Sequence, residues 1–242
     1  MKYFVALLII VTGIISLTNG FGLMNNRMLP EYADTVRKNY LALGDSYTIG
    51  QSVPASESFP HALAEQLNKS GIPMNEPEIR AVTGWTTGDL IRSLRAEPPA
   101  LKQYDLVTLL IGVNNQFRGG CPREYAAEFR ILLDEALKYA GDKRKLLIIS
   151  IPDYSVTPFA AETDVRAIAN GINSFNKTQQ SIADEYGIKF INITPISRKG
   201  LKDNSLHASD GLHPSGKQYL QWAKKILPDA KKSLEQGDGY LR

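Results

Sequence analysis

A serine hydroxyl attacks an acyl carbon only with three kinds of help. A base must take its proton, a third group must orient that base, and N–H donors must receive the oxyanion. Ser46, in Gly44-Asp45-Ser46-Tyr47, is a candidate nucleophile because it directly follows an apolar run. The chain has only three histidines to serve as base. His61 falls off the apolar stripe of a helical segment and reads as a solvated side chain. His207 lies in a late loop with no carboxylate at a suggestive spacing and reads as a loop residue. His213 follows Asp210 by three positions. In a turn, that spacing lets the carboxylate reach one ring nitrogen while the other faces outward. Helix capping by the aspartate fits the same pair equally well. Gly84 and Asn114 are candidate oxyanion donors. Gly84 offers a backbone N–H that no side chain screens, and Asn114 offers its amide. A turn glycine and a loop asparagine are the plain alternatives.

The elements that must position these groups alternate along the chain. Apolar runs predict strands over residues 39–43, 78–82, 106–111, 146–151 and 188–193. Residues 58–70 carry Phe59, Ala62, Leu63 and Leu67 on one helical face. A helix is expected over 87–95. In 122–140, Tyr125, Phe129, Leu132, Leu133, Ala136 and Leu137 form an apolar stripe ended by Gly141. Residues 164–186 turn Val165, Ile168, Ile172, Phe175, Ile182 and Tyr186 inward. A loop spans 195–211, and Pro214 is expected at the first position of a final helix. Such alternation predicts a parallel sheet with helices on both faces, an α/β three-layer α/β/α sandwich. Ser46, Gly84, Asn114, and Asp210 with His213 then fall after the first, second, third and fifth strands. All lie at the carboxyl ends, where an open α/β sheet places its crevice.

Length and composition narrow the function classes. The chain has 242 residues, 43% of them hydrophobic, which suits one domain with a proper core. A net charge of +3 gives no case for nucleic acid. Lys2, the apolar run 3–17 and Thr18-Asn19-Gly20 resemble a secretory signal over 1–20. As a helix the run would reach only ~22 Å, short of the ~30 Å hydrocarbon core. Export to the periplasm or medium is the expectation. The alternative is an uncleaved N-terminal anchor, which would be the only membrane contact. A lead-in over 21–38, a domain over 39–232 and a tail over 233–242 complete the expected organisation. Cys121 is the only cysteine, so no intrachain disulfide is expected, and it reads as structural. No metal-ligand spacing or cofactor motif is present. Tyr47 and Trp85 either wall a pocket or pack. Arg118 reads as solvated and Asp153 as a turn former.

The motifs resemble those of the SGNH or GDSL hydrolases over about residues 39–227. Gly44-Asp45-Ser46-Tyr47 is similar to the first block, with Tyr47 where leucine is common. Gly84 is similar to the second-block glycine. Gly112-Val113-Asn114-Asn115 is similar to the third block, with Asn115 where aspartate is frequent. Asp210-Gly211-Leu212-His213 is similar to the last. The two departures flank the functional positions and so bear on substrate fit. The resemblance implies a flavodoxin-like sheet of order 2-1-3-4-5 and a metal-free, cofactor-free serine esterase. Its small-molecule substrate would be a lipid, lysophospholipid or acylated-sugar ester. The alternatives are an inactive ligand-binding module and an acyl transferase on the same fold. A flavodoxin-like nucleotide binder would need a phosphate-cradling glycine loop, which the stretch after the first strand lacks.

Overall fold

The structure is a computed structural model that describes residues 36–237. The expected leader and most of the lead-in lie outside the described residues. The strands are β1 (Tyr40–Gly44), β2 (Glu78–Ala81), β3 (Leu106–Leu110), β4 (Leu146–Ile149) and β5 (Lys189–Ile191). They form one five-stranded sheet of order β2-β1-β3-β4-β5. Every pairing is parallel, with Leu41 opposite Glu78, Tyr40 opposite Leu106, Val107 opposite Leu146 and Leu147 opposite Lys189. β1, β3 and β4 are buried throughout, as continuous apolar runs covered on both faces must be. The edges are wetter. Lys189 on β5 is exposed and pairs with Asp229 at 3.1 Å.

The helices are α1 (Ser46–Ile49), α2 (Phe59–Lys69), α3 (Thr87–Ala96), α4 (Val113–Phe117), α5 (Pro122–Ala140), α6 (Val165–Tyr186), α7 (Thr194–Ser197) and α8 (Gly216–Gly237). α2 packs on α8, while α3, α5 and α6 pack in a row. With right-handed crossovers these sets cover opposite faces of the sheet, which gives the α/β/α sandwich. Local signals set the boundaries. Pro122 opens α5, and Gly141 closes it at φ +67°. The Asp164 side chain accepts the Ala167 N–H at 2.9 Å and caps α6.

Four expectations need correction. Val165 does not turn inward. It is 43% exposed in the first turn of α6. Gln179 is buried on that inward face instead. Pro214 does not open the final helix. Residues 206–208 pair with 213–215, through Ala208 N–H to His213 O at 2.8 Å and Ser215 N–H to Leu206 O at 2.8 Å. This pairing holds Pro214 in a bridge with His207. α8 starts at Gly216, where Ser215 receives the Gln218 N–H. The loop 195–211 is not featureless either, since α7 and two short 3-10 turns, Arg198–Leu201 and Asn204–Leu206, fill it. Finally, α8 runs past residue 232 with Ser233 and Leu234 buried, so the tail boundary falls inside a helix.

Candidate active site

At Gly44, the last residue of β1, nothing larger fits. A Cβ there would lie 2.0 Å from Thr48 Oγ1 and 2.4 Å from the Leu110 carbonyl. The chain turns at once into α1, whose cap is Asp45, with Oδ1 accepting the Tyr47 N–H at 3.0 Å. Ser46 is thereby fixed at the sheet's carboxyl end, 4% exposed. Asp45 is fully buried, and loss of water pushes its carboxyl up to about 7, with the Tyr47 N–H opposing part of the rise.

The hairpin-like pairing of 206–208 with 213–215 encloses the turn that carries Asp210 and His213. Asp210 Oδ1 accepts the N–H groups of Leu212 and His213, both at 2.9 Å. Oδ2 meets His213 Nδ1 at 2.6 Å, and His213 Nε2 meets Ser46 Oγ at 2.9 Å. Because the carboxylate only accepts, Nδ1 carries the ring hydrogen in the neutral tautomer and Nε2 accepts from the serine. Partial burial pushes the Asp210 carboxyl up. The bonds from Ser52, Leu212 and His213 outweigh it and hold the group well below the usual carboxylate range. The Tyr47 ring backs the His213 ring at a centroid distance of 5.2 Å, with Trp222 at 6.3 Å behind Tyr47.

Gly84 sits at φ +82°, a left-handed conformation that glycine adopts without strain. Arg118 Nη2 donates to its carbonyl at 2.7 Å. Asn114, on α4, donates from Nδ2 to the Trp85 carbonyl at 2.9 Å. Its other Nδ2 hydrogen has only a long 3.5 Å contact with Asp45 Oδ2. Ser46, Gly84, Asn114 and His213 line one cleft of about 200 Å³, and Asp210 stands behind His213. The five residues singled out by spacing are therefore adjacent in space.

Other residues fall elsewhere. His61 bonds Ser58 Oγ at 2.8 Å and lies 3.4 Å from Glu76. His207 packs in the hairpin with Nε2 3.2 Å from Gly200 O. Trp85 packs on the core and does not line the cleft. Asn115 turns away from the cleft, accepting the Thr87 N–H at 3.0 Å and donating to Thr87 Oγ1 at 2.8 Å. Its departure from the family pattern therefore ties α4 to α3 and does not face the cleft. Arg118 is engaged rather than simply solvated, and Asp153 is buried with Arg198 Nε at 2.8 Å. Cys121 is exposed at the cap of α5. Among the described residues no group of three or more His, Cys, Asp or Glu is arranged to hold a metal.

Sequence reasoning missed three groups here. Phe117, Tyr154 and Phe159 wall the cleft, with ring centroids 6.0 Å apart for Phe117–Tyr154 and 6.3 Å for Phe117–Phe159. Phe117 ends α4, while Tyr154 and Phe159 lie in the connection between β4 and α6, and no local pattern joins the two segments. Gln179 Nε2 reaches Ile111 O at 2.8 Å and Tyr125 Oη at 2.6 Å, holding the end of β3 just before Gly112. A polar residue at a core spacing between Phe175 and Ile182 was its signal. Ser52 donates to Asp210 Oδ2 at 2.6 Å, and nothing in its small-residue loop marks it.

A family model described as "GDSL-like Lipase/Acylhydrolase family" matches residues 42–220, well over half the chain. The chain belongs to the GDSL-like lipase/acylhydrolase family. Its enzyme class is that of the carboxylic ester hydrolases. Solved structures of similar fold include TesA, 18% identical over 81% of this chain and 100% of that one, with a TM-score of 0.63. The lipase/acylhydrolase from Enterococcus faecalis is 18% identical, covers 81% of this chain and 96% of that chain, and has a TM-score of 0.64. Axe2, an acetylxylan esterase from Geobacillus stearothermophilus, is 18% identical, covers 80% and 94%, and has a TM-score of 0.62. At these identities the likeness shows the GDSL fold, a five-stranded parallel sheet of order 2-1-3-4-5 under helices. Comparison with curated protein sequences gave no match.

Proposed function

We propose that the chain is a serine esterase that works through an acyl-Ser46 intermediate. The observation that carries this reading is the continuous line Asp210 Oδ2–His213 Nδ1 at 2.6 Å and His213 Nε2–Ser46 Oγ at 2.9 Å. Ser46 Oγ attacks the ester carbonyl carbon as His213 Nε2 takes its proton. Asp210 holds the ring in the Nδ1–H tautomer and stabilises the imidazolium. The carbonyl oxygen, now negative, accepts the N–H groups of Ser46 and Gly84 and the Asn114 Nδ2 hydrogen that has only the long contact with Asp45. The tetrahedral centre collapses, the C–O bond to the alcohol breaks, and His213 returns the proton to the leaving oxygen. Water then attacks the acyl-enzyme with His213 as base, releasing the acid and restoring Ser46.

The substrate class follows from the cleft. Its about 200 Å³ is below the ~300–1,000 Å³ typical of pockets that engulf a drug-sized ligand. It takes one acyl group and leaves the alcohol outside. Phe117, Tyr154 and Phe159 give that acyl group an apolar wall, so an acyl chain lies on the rings and a lipid or acylated sugar extends into solvent. The same openness admits a second alcohol in place of water, which would make the reaction acyl transfer. The protein is exported, with residues 1–20 as the leader; the N-terminal sequence of the mature protein checks this.

The test is labelling with a fluorophosphonate, which reacts only with an activated serine, alongside hydrolysis of p-nitrophenyl esters from acetyl to dodecanoyl. Labelling of wild type, its absence in Ser46→Ala, and a rate maximum among the shorter chains support the reading. An unlabelled wild-type protein would leave a binding module in its place.

A further inference from the structure

Ser52 is the one non-glycine residue with positive φ among the described residues, at +68°. A side chain adopts that conformation at a cost, and persistent cases mark positions fixed by something else. It lies in the loop after α1, where the Val53 N–H closes a turn on Gly50 O at 3.2 Å. Glycine or asparagine would suit that turn better. What serine adds is the hydroxyl, which donates to Asp210 Oδ2 at 2.6 Å across 158 residues of chain. Oδ2 is the oxygen that also receives His213 Nδ1.

We propose that Ser52 is a positioning residue for the reaction, holding the Asp210 carboxylate in the rotation that aligns Oδ2 with His213. The Asp210 side chain is 29% exposed, so water reaches it and competes for its lone pairs. Oδ1 is already anchored by two backbone N–H groups of its own turn. Oδ2 lacks a backbone partner, and Ser52 supplies the missing fixed donor from the segment that carries the nucleophile. The hydroxyl thus ties the loop after Ser46 to the turn that bears the base.

The inference rests on the serine-esterase reading. The test uses the full chain as Ser52→Gly, Ser52→Ala and Ser52→Asn, with kcat, KM, fluorophosphonate labelling rate and thermal midpoint measured for each. Glycine relieves the backbone and removes the donor. Alanine removes the donor and keeps the backbone cost. Asparagine tolerates the left-handed conformation and offers an amide N–H. Glycine and alanine should both lower kcat and the labelling rate roughly 10- to 150-fold, the size of one hydrogen bond to a charged group. KM should stay within about twofold, glycine should melt no lower than wild type, and asparagine should recover most of the rate. Wild-type kcat in Ser52→Gly overturns the proposal, as does a loss that tracks the melting temperature or persists in Ser52→Asn. Wild-type protein that does not label sinks the esterase reading first, and this inference with it; labelled wild type with an unimpaired glycine variant sinks this inference alone.

Discussion

Two sides of the Ser46 cleft are built from different materials. Toward the end of the chain, the Asp210 carboxylate receives Leu212 N–H, His213 N–H, His213 Nδ1 and Ser52 Oγ. Each of those bonds has a fixed direction. Across the cleft, Phe117 is 58% exposed and Phe159 49%, and the Phe117 ring packs against those of Phe159 and Tyr154. The first side is defined by angles and fails when one partner goes. The second is defined by apolar area and declines in proportion to what is removed. On the proposed reading, reaction and selectivity are separable, and the contrast can be attacked from either side.

The largest effect belongs to the directional side. Ser46→Ala should lower kcat by about 10⁴-fold or more with the thermal midpoint held, as read by ester hydrolysis and a melting curve. Asn114→Ala removes one oxyanion donor and should cost about 10²–10³ in kcat across all acyl lengths; turnover close to wild type would remove Asn114 from the mechanism. On the apolar side, Phe117→Ala and Phe159→Ala should leave acetyl ester turnover nearly intact. They should lower kcat/KM about tenfold for longer chains, so equal losses on all chain lengths would erase the distinction.

The smallest effect concerns stability. Burial lifts Asp45 to about 7 in the folded protein, above its unfolded value near 4. Between those pH values the folded state holds a proton that the unfolded state has lost, so this group's contribution falls as pH rises from about 4 to about 7. Asp45→Asn does not titrate. Its melting temperature relative to wild type should therefore climb between pH 4 and 7.5, and a constant difference would contradict the shift.

The fold was legible where one element's own pattern decided it. The apolar run at 106–111 could only be a buried strand, and the stripe of α5 with Pro122 and Gly141 marked both its ends. It was not legible where distant segments competed with a local rule. Pro214 has the right neighbours to open a helix, yet strand-like pairing with 206–208 captured it first. For the site, residues within one motif could be read from spacing, as with Asp210 and His213. Residues that meet only in space could not. Phe117 at the end of α4 meets Tyr154 and Phe159 from the connection between β4 and α6, and Ser52 finds Asp210 across most of the chain. Asp45 was visible only as part of a motif, because its titration depends on burial that no neighbour in sequence discloses.

The bond from His213 to Ser46 spans 167 positions, and the hairpin that holds His213 leads straight into α8, which packs on α2. A ribosome-bound chain of this protein thus has its hydroxyl emerging early and its imidazole among the last segments made. Until that C-terminal portion is released and docks, the hydroxyl has no imidazole beside it. The order of synthesis therefore brings the Ser46–His213 contact together only after the last helix is available to pack on α2.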